Sequence, residues 1–293
     1  GIFFLFVIFY LSESLNYINF AILILIFLLG VFSDLNKITS PMNRILIQSL
    51  FIISYIFIND LVVINTRIDL FDYILNNYKI VALSFTFFCI IVLINGTNFI
   101  DGVNNLASGY YFVVFLNLIF LSKMIELNID QYFLIQILAF IMIFLIFNFF
   151  SQSFLGDSGS YLLGFFVGFY LISFYINQNN IISPYYIIVL LWYPAYENLF
   201  SIMRRLFFER KKVKKADNLH LHHLVYKFLS KFLGKNKYVN SLTGILINFI
   251  NLIIIFPGNF YAYKTNILVG IIFVSLVVYN SAYFYLRFKT YKS

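Results

Sequence analysis

The sequence predicts an all-α, polytopic membrane fold, and three of its properties carry that reading. Hydrophobic residues make up 62% of the 293 and charged residues only 11%. Uncharged apolar runs of fifteen to twenty residues recur along the chain, each about long enough to cross roughly 30 Å of hydrocarbon as a helix. The longest polar run, residues 204–237, holds eleven of the twenty Lys and Arg and all three His. A soluble globular domain is excluded by this composition.

Taken in order, residues 1–11 read as the end of a span, which predicts that further residues precede Gly1 in the complete protein. There is no basic segment ahead of the first apolar run and no small-residue cleavage site, so a cleavable signal is not expected. After a polar break at 12–16, nine complete spans are predicted at 17–32, 44–58, 79–95, 106–122, 132–150, 158–176, 184–202, 241–257 and 265–286. Cys89, the single cysteine, lies within one of them and is read as packing, so a disulfide framework or a Cys-based zinc site is excluded. No internal repeat or linker marks a second domain. One integral-membrane domain is expected across 1–293, with 203–240 as its large loop.

Alternating the loops across the bilayer places sixteen Lys and Arg on one side and four on the other. The positive-inside rule assigns the richer side, with the long loop and the C-terminus, to the cytoplasm. The same alternation puts Asp34, Asp101, Asp157 and His220, His222 and His223 on that side. The acids of the opposite loops, Asp60, Asp69, Asp72, Glu126 and Asp130, are read as solvated.

Four polar segments face the cytoplasm in this reading. NGTNFIDGVNN at 95–105 has more hydrogen-bonding capacity than a turn requires. It either lines a wet, ligand-holding cavity or caps the flanking helices through Asn95, Gly96 and Asn105. In FLGDSGS at 154–160, Asp157 sits where a span begins and is either a cation-holding carboxylate or a plain N-cap. Segment 33–48 places Asp34 at a helix end and Arg44 at the next helix start, the latter as a membrane anchor or a phosphate contact. In the long loop, a helix over 219–235 would align His220, His223, Lys227, Lys231 and Lys235 on one stripe, opposite Leu221, Val225, Phe228, Leu229, Phe232 and Leu233. Such a helix lies in the headgroup layer. His222 would turn to the apolar side, which disfavours zinc held by all three imidazoles while leaving zinc as an alternative. Pro194 is expected to kink span 184–202, and Glu197 within it to reach Arg204.

Together and in this order, these segments resemble the polyprenyl-phosphate N-acetylhexosamine-1-phosphate transferase superfamily, of glycosyltransferase family 4 type. Asn95-x-x-Asn98-x-x-Asp101-Gly102 matches its central motif, and Phe154-Leu155-Gly156-Asp157-Ser158-Gly159-Ser160 its metal-site motif. His220-Leu221-His222-His223 is similar to the His motif of the branch that starts O-antigen and teichoic acid glycans, and differs from that of the peptidoglycan translocase. Two positions depart from the pattern. Ser33 stands where the family usually has the first of two acids, and Asn104 replaces the second acid of the central motif.

The resemblance implies transfer of a sugar 1-phosphate from a UDP-sugar to undecaprenyl phosphate, with release of UMP, at the cytoplasmic face of a bacterial inner membrane. It implies Mg²⁺ or Mn²⁺ held by Asp157, Asn98 and Asp101, and catalytic roles for Asp34, Asp101, Asp157, His222 and His223. Arg44, Asn95, Asn98, Asn104 and His220 would bind substrate, with Asn104 near the uracil. Membrane lipid is the only other partner implied. Nucleic acid is not one, and homodimers are common among relatives. Ser33 keeps a second reading open, a catalytically impaired scaffold. A transporter is a third, disfavoured because the motif acids lie at span ends on one side.

Overall fold

A computed structural model describes residues 17–127, 129–209, 219–234 and 236–291. Among them there are eleven α-helices and no strand. The helices are α1 (Tyr17–Asp34), α2 (Pro41–Asn59), α3 (Asp69–Asn77), α4 (Lys79–Ile100), α5 (Ala107–Met124), α6 (Gln131–Phe149), α7 (Gly156–Gln178), α8 (Pro184–Met203), α9 (Leu221–Leu233), α10 (Lys237–Ile255) and α11 (Thr265–Tyr291). Eight are long and apolar enough to cross a membrane. The predicted span at 184–202 forms as α8 but is not among the eight, because Pro194, Glu197, Asn198 and four tyrosines dilute its apolar content. The N-terminal fragment at 1–11 and Lys235 of the predicted 219–235 helix lie outside the described residues.

The helices group into two compact units. The first takes the described chain up to Asn98, Leu155–Ile188 and Ala262–Thr265. Its most buried span is α7, and α1 and α4 approach α7 where glycine removes the side chain. A Cβ on Gly30 of α1 would lie 2.2 Å from the Ser158 Cα, and one on Gly164 of α7 would lie 2.9 Å from the Ile94 Cα of α4. Close backbone approach at small residues is what holds helices together where lipid supplies no hydrophobic drive. α1 and α2 are further tied by a reciprocal amide pair, Asn19 to Asn59 at 2.7 Å and Asn59 to Asn19 at 2.9 Å.

Helix α4 runs to Ile100, past the boundary expected at residue 95. Its polar residues explain the extension. Asn95 donates to the Ile91 carbonyl at 2.8 Å and Thr97 to that of Leu93 at 2.7 Å, so their side chains bond back to their own helix. Only residues 101–106 remain as the connection to α5. Two of the acids read as solvated have structural tasks. Asp72 accepts from the backbone and hydroxyl of Thr66 at 2.6 Å each, and Asp130 caps α6 through the Phe133 N–H at 3.0 Å.

The second unit takes Phe99–Phe154, Val189–Tyr261 and Asn266–Ser293, and in it α5 packs between α6 and α10. Asparagines hold the 101–106 connection inside this packing. The Asn104 N–H donates to Asn240 at 2.7 Å, the Asn105 N–H to Asn148, and Asn248 donates to the carbonyls of Asn105 and Leu106 at 2.7 and 3.1 Å. Non-helical backbone is tolerated at membrane depth when protein satisfies it in this way. Pro194 leaves the Leu190 carbonyl of α8 without its usual helical donor, and the Tyr110 hydroxyl of α5 takes that place at 2.8 Å.

The glycine contact gives a direct stability test. Gly30→Val is expected to cost about 1–3 kcal/mol by overpacking, seen as a lowered thermal midpoint of the detergent-solubilised protein. Gly270→Val, where an added Cβ meets nothing within 4 Å, is expected to leave the midpoint in place.

Candidate active site

Asp157 stands in the first turn of α7 and does not cap its own helix; Leu155 occupies the cap position without a side-chain bond. The cap comes from α1. The Asp34 carboxylate accepts the N–H of Asp157 at 2.9 Å and that of Ser158 at 3.1 Å, its two oxygens each taking one of the free donors of the helix end. Gly156, with φ of 66°, supplies the left-handed turn this approach needs; its Cβ position lies 3.0 Å from Asp34 Oδ2. Segments that are 123 residues apart are thereby closed on each other.

With its backbone held this way, the Asp157 carboxylate collects four side-chain donors, all in the first unit. Asn98 Nδ2 donates to Oδ1 at 2.6 Å. Oδ2 receives the Ser33 hydroxyl, Arg44 Nη1 at 2.9 Å and the Tyr161 hydroxyl at 3.3 Å. Arg44 Nη1 also reaches Ser33 Oγ at 2.9 Å, and Asn98 reaches Ser160 Oγ at 3.1 Å. The charges are one carboxylate against one guanidinium, 23% and 24% exposed. An aspartate at 33 would bring a second carboxylate against the first, whereas serine donates to it. Beside this cluster, Asn95 Nδ2 lies 3.4 Å from Oε1 of Gln48, a fully buried residue of α2.

The second unit holds the histidines. His220 caps α9 with its backbone extended, and its Nδ1 pairs with Glu197 Oε1 at 2.9 Å and lies 3.2 Å from Ser201 Oγ. The other Glu197 oxygen accepts the Tyr279 hydroxyl at 2.6 Å, so this fully buried carboxylate is satisfied by an imidazole and a phenol. These partners, His220 and Tyr279, are ones the sequence did not suggest. His222 is fully buried, as expected of its apolar side of the helix, and neither ring nitrogen has a hydrogen-bond partner. A Cβ on Gly102 would fall 2.1 Å from its Nε2. Burial, then the neighbouring His223 and His220, push its pKa well below the ordinary 6.5, so it is neutral near pH 7. The helix starts at Leu221, two residues later than predicted, and its predicted apolar face is split, with Leu221 buried, Val225, Phe228 and Leu229 half-buried, and Phe232 and Leu233 exposed.

Of the ten residues singled out from sequence, Asp34, Arg44, Asn95, Asn98 and Asp157 lie in the first unit, and Asp101, Asn104, His220, His222 and His223 in the second. Arg44, Asn98 and Asp157 are in direct contact, and Asp34 meets the backbone of Asp157. Asp101 is half-buried in the turn after α4. Asn104 turns inward, its Nδ2 donating to Ser151 at 2.8 Å and Ser241 at 3.4 Å. Sequence reasoning missed Tyr161 and the partners of Glu197. The spacing of Tyr161, one helical turn after Asp157, was an available signal; nothing marked Tyr279.

Among the described residues no group of three or more His, Cys, Asp or Glu side chains is placed to hold a metal ion. A mixed carboxylate and amide pair nevertheless fits one. Turning the Asn98 amide over, an assignment that exchanges its O and N, would set two oxygens facing each other at the 2.6 Å now separating Asn98 Nδ2 from Asp157 Oδ1. Adjacent oxygens on an octahedral Mg²⁺ with bonds of about 2.0–2.1 Å stand only a little farther apart.

Residues 16–175 match the sequence profile of the family described as glycosyl transferase family 4. A Bacillus subtilis (strain 168) protein described as a probable undecaprenyl-phosphate N-acetylglucosaminyl 1-phosphate transferase is 27% identical over 177 residues. That match covers 58% of this chain and 46% of the relative, so it spans about half the relative's length.

The state of His222 sets a pH dependence. Its folded pKa lies below the unfolded value, so the stability tied to the neutral ring is complete above about pH 6.5 and declines as the pH falls toward the folded pKa. Thermal midpoints measured between pH 7.5 and 5 are expected to drop less for His222→Leu than for the wild type.

Proposed function

We propose, from the premise that the chain belongs to glycosyl transferase family 4, that it moves a sugar 1-phosphate of the N-acetylhexosamine class from a UDP-sugar to undecaprenyl phosphate. The products are a polyprenyl-diphosphate sugar and UMP. The observation that carries this reading is the Asp157 cluster. Two helix ends distant in sequence are closed on a single carboxylate surrounded by a guanidinium, an amide and two hydroxyls. The relative's description names the same class of lipid acceptor and transfer.

In the reaction an oxygen of the lipid phosphate attacks the β-phosphorus of the UDP-sugar, the bond from that phosphorus to the bridging oxygen breaks, and UMP departs with the bond's electrons. Both reactants are anions, so charge compensation and alignment are the main demands on the protein. A phosphate monoester with a second pKa of about 6 is largely dianionic at neutral pH, so its attack needs no strong base. Asp34 then serves by holding the start of α7, and with it Asp157, in position. Asp157 and Asn98 would hold Mg²⁺ or Mn²⁺. When bound, that cation supplies Lewis-acid neutralisation of the phosphate oxygens.

Arg44 supplies a guanidinium suited to phosphate oxygens. His220, with Nδ1 engaged by Glu197, has Nε2 for the diphosphate, and the neutral His222 can donate from one nitrogen while accepting at the other. His223 adds a third imidazole, and Asn95 and Asn104 are assigned to the UDP moiety. The site is proposed to face the cytoplasm of the bacterial inner membrane, on the strength of the sixteen-to-four distribution of Lys and Arg. One observation favours the impaired-scaffold reading: Asp157 is paired with Arg44 and Ser33 donates to it where the family usually has an acid.

One assay separates the two. Membranes containing the chain, given undecaprenyl phosphate, are expected to release UMP from one of a panel of UDP-N-acetylhexosamines. EDTA should stop the release and Mg²⁺ restore it. Asp157→Ala should lower the rate by on the order of a hundredfold or more, the scale of losing one electrostatic stabiliser. No release above that of Asp157→Ala would leave the scaffold reading standing.

A further inference from the structure

The grip of Arg44 on Asp157 is incomplete in a way that suggests a second task. Nη1 alone serves Asp157, Ser33 and Tyr161, while Nε is buried without a partner. A guanidinium is used more fully by a two-pronged acceptor such as phosphate. One helical turn on along α2, Gln48 is fully buried and its Nε2 also lacks a partner. Two orphaned donors thus stand at positions i and i+4 of one helix, on the same face. Leaving such donors unsatisfied is costly, since each has given up its bonds to water without replacing them.

We propose that Arg44 is an exchangeable counterion: a phosphate monoester, received by Arg44 and Gln48, draws the guanidinium off Asp157, and the freed carboxylate takes a divalent cation with Asn98. This inference rests on the transferase reading and names how its two charged ligands are coupled. After the exchange the carboxylate is not stripped, because the Ser33 and Tyr161 hydroxyls still donate to Oδ2, and Oδ1 stands against the Asn98 amide.

Charge gives the coupling its sign. The resting pair is neutral. A dianionic phosphate alone leaves the cluster two charges negative, a dication alone leaves it two positive, and the two together restore neutrality. Each ligand therefore favours the other, by the same factor in both directions. Ser33 is what makes the resting state neutral without a metal. An aspartate there would add a fixed negative charge and hold the cation whether or not phosphate were present.

The test is Mn²⁺ binding, read from the free-ion signal in electron paramagnetic resonance, with the full chain in nanodiscs of uncharged lipid. Undecaprenyl phosphate in the disc is expected to tighten Mn²⁺ binding on the order of tenfold, within the usual range for coupled sites. Inorganic phosphate in the buffer is the second arm. Enhancement by the lipid alone identifies the membrane headgroup as the ligand, and enhancement by both shows that the phosphate group suffices. Arg44→Gln is expected to bind Mn²⁺ more tightly without phosphate and to lose the enhancement. Gln48→Leu should shrink the enhancement. Ser33→Asp should bind Mn²⁺ tightly in either condition.

Equal Mn²⁺ affinity with and without both phosphates in the wild type overturns the exchange. So does full enhancement in Arg44→Gln, which would mean that the two ions attract each other directly. Since no step here depends on turnover, coupling without UMP release would sink the transferase reading while leaving the exchange intact, and turnover without coupling would do the reverse.

Discussion

The hold of Asp34 on the start of α7 is the constraint from which the rest of the first cluster follows. A helix N-terminus presents free N–H groups and a partial positive charge, and a carboxylate from another helix end answers both. Because that carboxylate belongs to the last residue of α1, the capping bond also sets where Ser33 falls, and Ser33 then meets Asp157. Gly30, one turn earlier on α1, removes the side chain that would otherwise keep the two helices apart. Local capping chemistry, a missing methyl group and the Asp157 carboxylate are one arrangement seen at three scales.

The second unit solves a different problem with a similar economy of residue types. A chain rich in Asn has many amides to place within apolar surroundings, and each needs a partner. Asn148, Asn240 and Asn248 all turn toward the backbone of residues 104–106. The polarity of the 95–105 segment thus divides. Its first half belongs to a helix, its last residues are knitted into α6 and α10, and Asp101 with Gly102 is left between them. Gly102 in turn lies so close to His222 that only a residue without a side chain leaves the ring its room.

Much of this was legible in the letters. Nine spans were expected at positions where α-helices formed, because apolar length is a strong signal and helix boundaries a weak one. The motif residues Asp157, Asn98 and Arg44 were named from sequence and are in contact. What could not be read was the partner of each polar group. Asp157, read as either a cation-holding carboxylate or a plain N-cap, does not cap its own helix and is itself capped by Asp34. Glu197 was matched with a nearby arginine, yet it meets a histidine 23 positions away and a tyrosine 82 positions away. Pairings of that kind depend on helix rotation within the bundle, which one-dimensional spacing does not encode. Ser33, set down as a departure from a pattern, is a donor that a carboxylate could not have been unless protonated.

The phenol of Tyr110 beneath Pro194 has a bearing on assembly. A carbonyl released by proline among buried apolar side chains is a liability of several kcal/mol unless another group answers it. Here the answering helix, α5, lies earlier in the chain than α8. The partner of the broken turn is thus supplied by an earlier stretch of chain, so a chain folding in sequence order would have the donor in place before the carbonyl that needs it.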